Sequence, residues 1–195
     1  MPANFTEEQR QSIRENLFAI GKELIREIGL KKMKVSLIAE RAQIATGTFY
    51  HFFESKEAYV RALIDEQDRK LLGQLQIAAG ESGVLTLEQV MPYLRDAFRL
   101  SNNFLMELSL EDWVWLKAHG TKLGLFQEEQ NEQNVQFFLT KIEGVRSDLD
   151  PRIIINFFKT IYSMAQNRDT FIAEVFETNI SIMFDGLYRY VAIQK

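Results

Sequence analysis

The sequence predicts an all-α protein, with a three-helix N-terminal domain carrying a helix-turn-helix and a larger helical domain after it, about nine helices in all. Three observations point there. Apolar residues recur close to a 3.6-residue period along most of the 195 residues. Only three prolines and ten glycines interrupt them. Alternation of β-branched residues, the mark of half-buried strands, is scarce.

The first helix is announced by Thr6-Glu7-Glu8-Gln9, a capping box in which Thr6 and Gln9 satisfy each other's backbone amides. It carries Ile13, Leu17, Phe18, Ile20, Leu24, Ile25 and Ile28 on one face and stops at Gly29, a residue suited to a helix C-terminal cap. Lys31, Lys32 and Lys34 follow in a loop whose cations suit phosphates.

Next comes VSLIAERAQIATGTFYHFFESK, residues 35–56. It reads as a short helix over 36–42, a tight corner at Gln43, Ile44 and Ala45, and a second short helix over 46–52. Helices below about 12–15 residues are marginal alone, so both need the longer first helix as a neighbour. Thr46, Gly47 and Thr48 are small enough for close approach to a duplex, which makes this a helix-turn-helix with its second helix in the major groove.

Ser55 caps the following helix, which runs to about Ala79. Lys56 stands in its first turn, where a cation opposes the helix dipole unless a phosphate shares that end. After a flexible break at 80–83, Thr86-Leu87-Glu88-Gln89 is a second capping box, opening a helix to about Leu100. The apolar run FLMELSLEDWVWLK predicts one helix over 104–117, and another is expected over 122–145, hydrophilic through its middle. Asp150-Pro151 starts a helix over 152–166. The last spans 171–191. The apolar faces of these two terminal helices are wider than one core needs, which predicts a two-fold homodimer with a four-helix contact through 152–166 and 171–191.

Charge is shared unevenly. Residues 1–56 hold nine Lys/Arg and seven Asp/Glu, a net +2, and residues 57–195 hold fourteen and twenty, a net −6. A mildly basic head on an acidic body suits DNA binding at one end. With no cysteine there is neither disulfide nor thiolate chemistry, and no apolar run is long enough for a membrane. The expected location is cytoplasmic, with no membrane partner, metal or cofactor. Catalysis finds little to work with: two histidines, no cysteine and no phosphate-cradling glycine loop. Glu128, Glu129 and Glu132 lack the histidine companions of a di-metal bundle.

Residues 13–56 resemble the amino-terminal domain of the TetR/AcrR family of bacterial transcriptional regulators. The matching positions are Gly29, Val35, Ile38-Ala39, Ala42, Ile44, Gly47-Thr48-Phe49-Tyr50-His51-Phe52-Phe53 and Ser55-Lys56-Glu57. The resemblance implies a DNA-binding domain over 1–54 and a regulatory and dimerisation domain over 55–195. It implies that Thr46 to His51 lie on the recognition helix. Thr48 and Tyr50 would then contact base edges or phosphate, and His51 and Lys56 the backbone. Phe49, Phe52 and Phe53 would close the head's core.

This chain departs from the pattern at three places. Lys34 stands for a small capping hydroxyl residue, Gln43 for the corner glycine, and Ala45 for a serine that caps and touches phosphate. The corner is then either right-handed or slightly strained, and Thr46 partly replaces the lost contact. With these changes, the DNA-facing set is Lys34, Ala45, Thr46, Gly47, Thr48, Tyr50, His51 and Lys56.

The family's second domain binds a small molecule, which alters the spacing of the two heads on a pseudo-palindromic operator. Phe104, Glu107, Leu108, Glu111, Asp112, Trp113 and Trp115 are the effector candidates, with carboxylates beside aromatic rings suiting a cationic apolar ligand. Alternatively the acids cap, face solvent or pair with Arg95 or Arg99, and the tryptophans pack. The implied function is a homodimeric repressor released by a small ligand. Its alternatives are control by a protein partner, activation rather than repression, and a helical-bundle enzyme.

Overall fold

The computed structural model describes residues 5–125 and 128–193. Ten α-helices and two very short strands occur among them: α1 (Glu7–Ile28), α2 (Val35–Arg41), α3 (Thr46–Phe52), α4 (Lys56–Ala79), β1 (Leu85–Thr86), α5 (Leu87–Ala97), α6 (Phe104–Glu107), α7 (Leu110–Ala118), α8 (Glu128–Leu139), β2 (Ile142–Glu143), α9 (Pro151–Gln166) and α10 (Ala173–Val191). No helix among the described residues is long and apolar enough to cross a membrane.

The chain forms two compact units. One comprises the residues up to Asp65 together with Leu108–Gly124; the other comprises Glu66–Glu107 and the residues from Leu125 on. Leu108–Gly124, assigned by the sequence reading to the second domain, thus belongs with the head.

In the first unit, α1 begins at the Thr6–Gln9 capping box and ends at Gly29. Its inner face buries Leu17, Phe18, Leu24 and Ile25. Tyr59 of α4 is fully buried, and its hydroxyl donates to the Leu17 carbonyl at 2.6 Å. Burial pushes this phenol far above its ordinary range. The ring meets Phe49 at 5.4 Å and Phe53 at 5.0 Å, and Phe18 meets Phe53 at 5.9 Å. These separations suit favourable aromatic contacts, so α3 is held from behind by rings from α1, α4 and its own C-terminal end. Gly21 makes the arrangement possible: a Cβ there would lie 1.9 Å from the Tyr59 hydroxyl oxygen.

The second unit is built on α5, α9, α10 and the later turns of α4, with Val90, Ile154, Ile161, Phe176, Ile180 and Phe184 in its core. The Thr86–Gln89 capping box and the Asp150 cap, with Pro151 at the first helical position, form as the sequence indicates. Helix α5 stops three residues before the predicted end. There the side-chain amides of Asn102 and Asn103 donate to the carbonyls of Asp96 and Ala97, taking up carbonyls that would otherwise be left open.

Two expected helices prove to be composite. The single helix over 104–117 is α6 and α7, divided at Ser109. That hydroxyl accepts from the Asp112 amide, and Asp112 accepts from the Ser109 amide in return, which starts a new helix. The helix over 122–145 is shorter: α8 ends at Leu139, and Ile142–Glu143 pairs in parallel with Leu85–Thr86. Phe126 and Gln127, also in that expectation, lie outside the described residues.

The Gly21 socket is testable. Gly21→Ala should cost about 1–3 kcal/mol through overpacking. Tyr59→Phe should cost about 1 kcal/mol for its hydrogen bond. Because both act on one contact, urea denaturation of the double variant should show a loss smaller than the sum; strict additivity would refute the socket.

Candidate nucleic-acid interface and ligand cavity

The corner between α2 and α3 is a Schellman turn built on glutamine. The Ile44 amide donates to the Ala39 carbonyl and the Gln43 amide to the Glu40 carbonyl, both at 3.0 Å. Gln43 has φ +54°, in the left-handed region. Of the two alternatives for this corner, the strained one holds: the turn is left-handed and a side chain tolerates it at a cost of about 1–2 kcal/mol.

Helix α3 then presents Thr46, Gly47, Tyr50 and His51 to solvent, with Thr48 half-buried and Phe49 fully buried. Tyr50 is the outstanding residue, an aromatic ring 52 % exposed with its edge against Phe49 at 5.6 Å. Phe52 is half-buried and meets Phe5 at 6.2 Å, a structural role like that of Phe53. Neither Lys34 before α2 nor Ala45 before α3 makes a side-chain cap. Lys32 and Lys34 are exposed on the loop that leads into α2.

Lys56 stands at the start of α4, as the sequence reading has it, and also makes contacts that the reading did not foresee. Its ammonium donates to the carbonyls of Leu30 at 2.7 Å and Lys31 at 3.1 Å, and lies 4.5 Å from the centre of the Trp115 ring. Burial lowers its pKa, against the opposing influence of Glu57 and Asp112. Two of its three N–H groups are engaged inside the first unit, so it shapes the loop that carries Lys32 and Lys34.

Asp112 supports the same loop. It is buried, and it accepts from the Lys31 amide at 2.7 Å and the Ser109 hydroxyl at 2.8 Å. Gly29, at φ +83°, leaves space for it: a Cβ there would sit 3.0 Å from both carboxylate oxygens. Glu111 pairs with Lys31 at 3.3 Å, while Trp115 stacks on His119 at 4.2 Å.

The effector candidates therefore divide. Leu108, Glu111, Asp112, Trp113 and Trp115 belong to the first unit, where Asp112 caps and Leu108 and Trp113 are core. Phe104 and Glu107 are in the second unit but do not line its cavity. That cavity, about 330 Å³, lies wholly among residues of the second unit. Leu71, Leu75, Val90, Met91, Phe98, Phe138, Phe158 and Leu187 form most of its wall, and Gln67, Asp68, Asn103, Asn134 and Tyr162 supply its polar groups. The correction has a physical cause. A wall of this kind is assembled from single apolar faces of α4, α5, α8, α9 and α10, and each face alone reads as ordinary core.

Residues 17–63 match the profile of bacterial regulatory proteins, tetR family. The head is therefore a tetR-type DNA-binding domain. The HTH-type transcriptional repressor NemR of Escherichia coli K12 is 38 % identical over 52 residues, a stretch covering 27 % of this chain and 26 % of NemR. Among solved structures, a transcriptional regulator of Rhodococcus sp. Rha1 superposes with a TM-score of 0.62 at 14 % identity, covering 93 % of this chain and 99 % of that one. The fatty acid degradation regulator FadR of Bacillus halodurans gives 0.64 at 20 % identity, over 90 % and 94 %. At such identities the likeness is one of fold, and the all-α tetR architecture extends along nearly the whole chain.

Two outcomes follow for the tetR-type head. Lys56→Met should lower the head's melting temperature and weaken DNA binding while leaving the slope of log affinity against log salt unchanged. Lys34→Met should instead reduce that slope by about 0.9, the share of one neutralised phosphate; a slope lost with Lys56 would return it to the phosphate contacts. Separately, Ala45→Ser should stabilise the head by about 1 kcal/mol in urea denaturation, by supplying the missing cap to α3.

Proposed function

We propose that this protein is a homodimeric, sequence-specific transcriptional regulator of the tetR family, a repressor that leaves its pseudo-palindromic operator when a small molecule occupies the cavity of the second unit. The observation that carries the DNA-binding part is the exposure of Thr46, Gly47, Tyr50 and His51 on a short helix seated in a tetR-type head. Thr46, Thr48 and Tyr50 read the groove edges, while Lys34, His51 and the backbone at Ala45 and Gly47 orient the head on phosphates.

Dimerisation is supported by apolar side chains left open on the last two helices. Ile153 on α9 and Val175 and Ile182 on α10 are exposed, Ile182 at 61 %. A second copy covering them forms the four-helix contact that the wide apolar faces call for. Two heads then meet successive turns of one duplex face, about 34–36 Å apart. A ligand weakens that engagement by binding better to states in which the heads do not fit. The cavity favours a small-molecule effector over a protein partner, since a protein needs a broad surface rather than a concave, largely apolar space of this size.

Band-shift titration with the DNA flanking its own gene tests the assignment. The wild type should retard that fragment specifically, with affinity falling steeply as salt rises. Tyr50→Ala should abolish retardation at unchanged helicity, and Ile182→Asp should shift sedimentation to the monomer and lose binding with it. Full binding by Tyr50→Ala would remove α3 from the interface.

A further inference from the structure

The cavity is long and narrow, and its two ends differ, which restricts what can fill it, given that it is the effector site as proposed above. Its wall follows α4 from Gln67 to Leu75 and α5 from Leu87 to Ala97, with α8, α9 and α10 closing the other sides. The α5 stretch alone is about 15 Å of helix at about 1.5 Å per residue. Spread along that length, about 330 Å³ averages about 20 Å² in cross-section. That is the width of one extended hydrocarbon chain and too little for a fused ring system.

At one end Asn103 is buried and makes every bond its side-chain amide allows. It donates to the Ala97 carbonyl at 3.0 Å and the Tyr162 hydroxyl at 3.3 Å, and it accepts from Gln67 at 2.8 Å and from the Leu105 amide at 3.0 Å. Asp68, Asn134 and Tyr162 are engaged with partners too. The polar groups of the wall are thus turned to one another and to the protein. A polar atom of a ligand drawn inside would give up its water for little in return. At the other end Leu75, Leu87, Ile142, Leu187 and Val191 are all buried. The pairing of β1 with β2 brings Ile142 beside the start of α5, and the Arg146 amide, on the Val191 carbonyl at 3.0 Å, brings in the end of α10. The exposed lining residues are Asp68, Leu72 and Asn134, and Asp68 follows Gln67 of the polar end.

We propose that the cavity is a channel for one unbranched hydrocarbon chain, entered beside Leu72, with the tail running to Leu187 and Val191 and the head group left in water at the exposed edge. Recognition then lies in the length and width of the tail. Each methylene taken in tightens binding by about fourfold until the far end is reached. A head outside the channel meets exposed charges only across solvent, where they are screened, so its own charge matters little. This differs from the cationic site expected around Glu107, Glu111 and Asp112 in both position and cause: discrimination here comes from shape rather than charge.

Calorimetric titration of the full-length protein tests this with hexanol, octanol, decanol and 1-adamantanemethanol, a compact cage of nearly the same carbon count as decanol. From hexanol to decanol affinity should rise about fourfold per methylene, and the cage should bind roughly tenfold or more weakly than decanol. Decyl sulfate and decyltrimethylammonium, below their micellar concentrations, should each bind within about tenfold of decanol. Val191→Phe, which shortens the far end, should weaken decanol by roughly tenfold or more and leave hexanol within about twofold; retained hexanol binding shows that the rest of the channel is intact. Affinity that does not grow with chain length, a cage that binds as tightly as decanol, or charged heads that abolish binding overturns the channel while leaving the cavity as an effector site of another shape. Decanol binding at wild-type strength in Val191→Phe overturns the direction of the tail. Failure of every molecule to bind overturns both the channel and the effector site. Decanol that binds without releasing operator DNA in a band-shift upholds the channel and removes only its regulatory role.

Discussion

The contact on which the head depends is the Tyr59 hydroxyl on the Leu17 carbonyl. Helices α2 and α3 are seven residues each, too short to persist unaided. What keeps α3 in place is the ring cluster of Phe18, Phe49, Phe53 and Tyr59, and that cluster is registered against α1 by one hydrogen bond at a place where Gly21 removes the side chain. The exposed residues of α3 owe their presentation to this buried geometry. Phe49 faces inward, so Tyr50, its neighbour in sequence, faces out.

A second set of contacts ties the lysine-bearing loop. The Lys31 amide is held by Asp112, and the carbonyls of Leu30 and Lys31 are held by Lys56. Donor and acceptor of one short segment are thus both satisfied by charged groups, bonds stronger than those between neutral partners. Trp115 lies against the Lys56 ammonium and His119 against Trp115, so α7 acts as a brace for the loop. Bracing this loop is reason enough for the aromatic residues of α7, with no ligand contact required.

How much of this was legible in the residues depended on distance along the chain. The bounds of α3, the caps at Thr6, Thr86 and Asp150, and the Gly29 stop are local signals and were read correctly. The Ser109 cap was hidden inside an apolar run, and Asp112 at its third position replaces the usual Glu or Gln. The β1–β2 pair is two residues long and rests on backbone bonds, so it leaves no alternating pattern. The inward contacts of Lys56 were not legible because its partners at Leu30 and Trp115 are remote in sequence, whereas the helix N-terminus it occupies is next to it. The cavity was missed for the same reason: Leu71, Val90, Phe138, Tyr162 and Leu187 come from five helices, and periodicity does not separate a residue facing a neighbour from one facing a void.

The head is discontinuous in the chain, since Leu108–Gly124 completes the unit that ends at Asp65. Grafting this head onto another regulator by cutting after residue 54 would leave behind Lys56, Tyr59, Asp112, Trp115 and the buried Leu116, and with them the brace for Lys31 and the hydrogen bond to Leu17. A chimaera that preserves operator choice has to transplant both pieces, so the two halves of this protein cannot be exchanged by a single crossover.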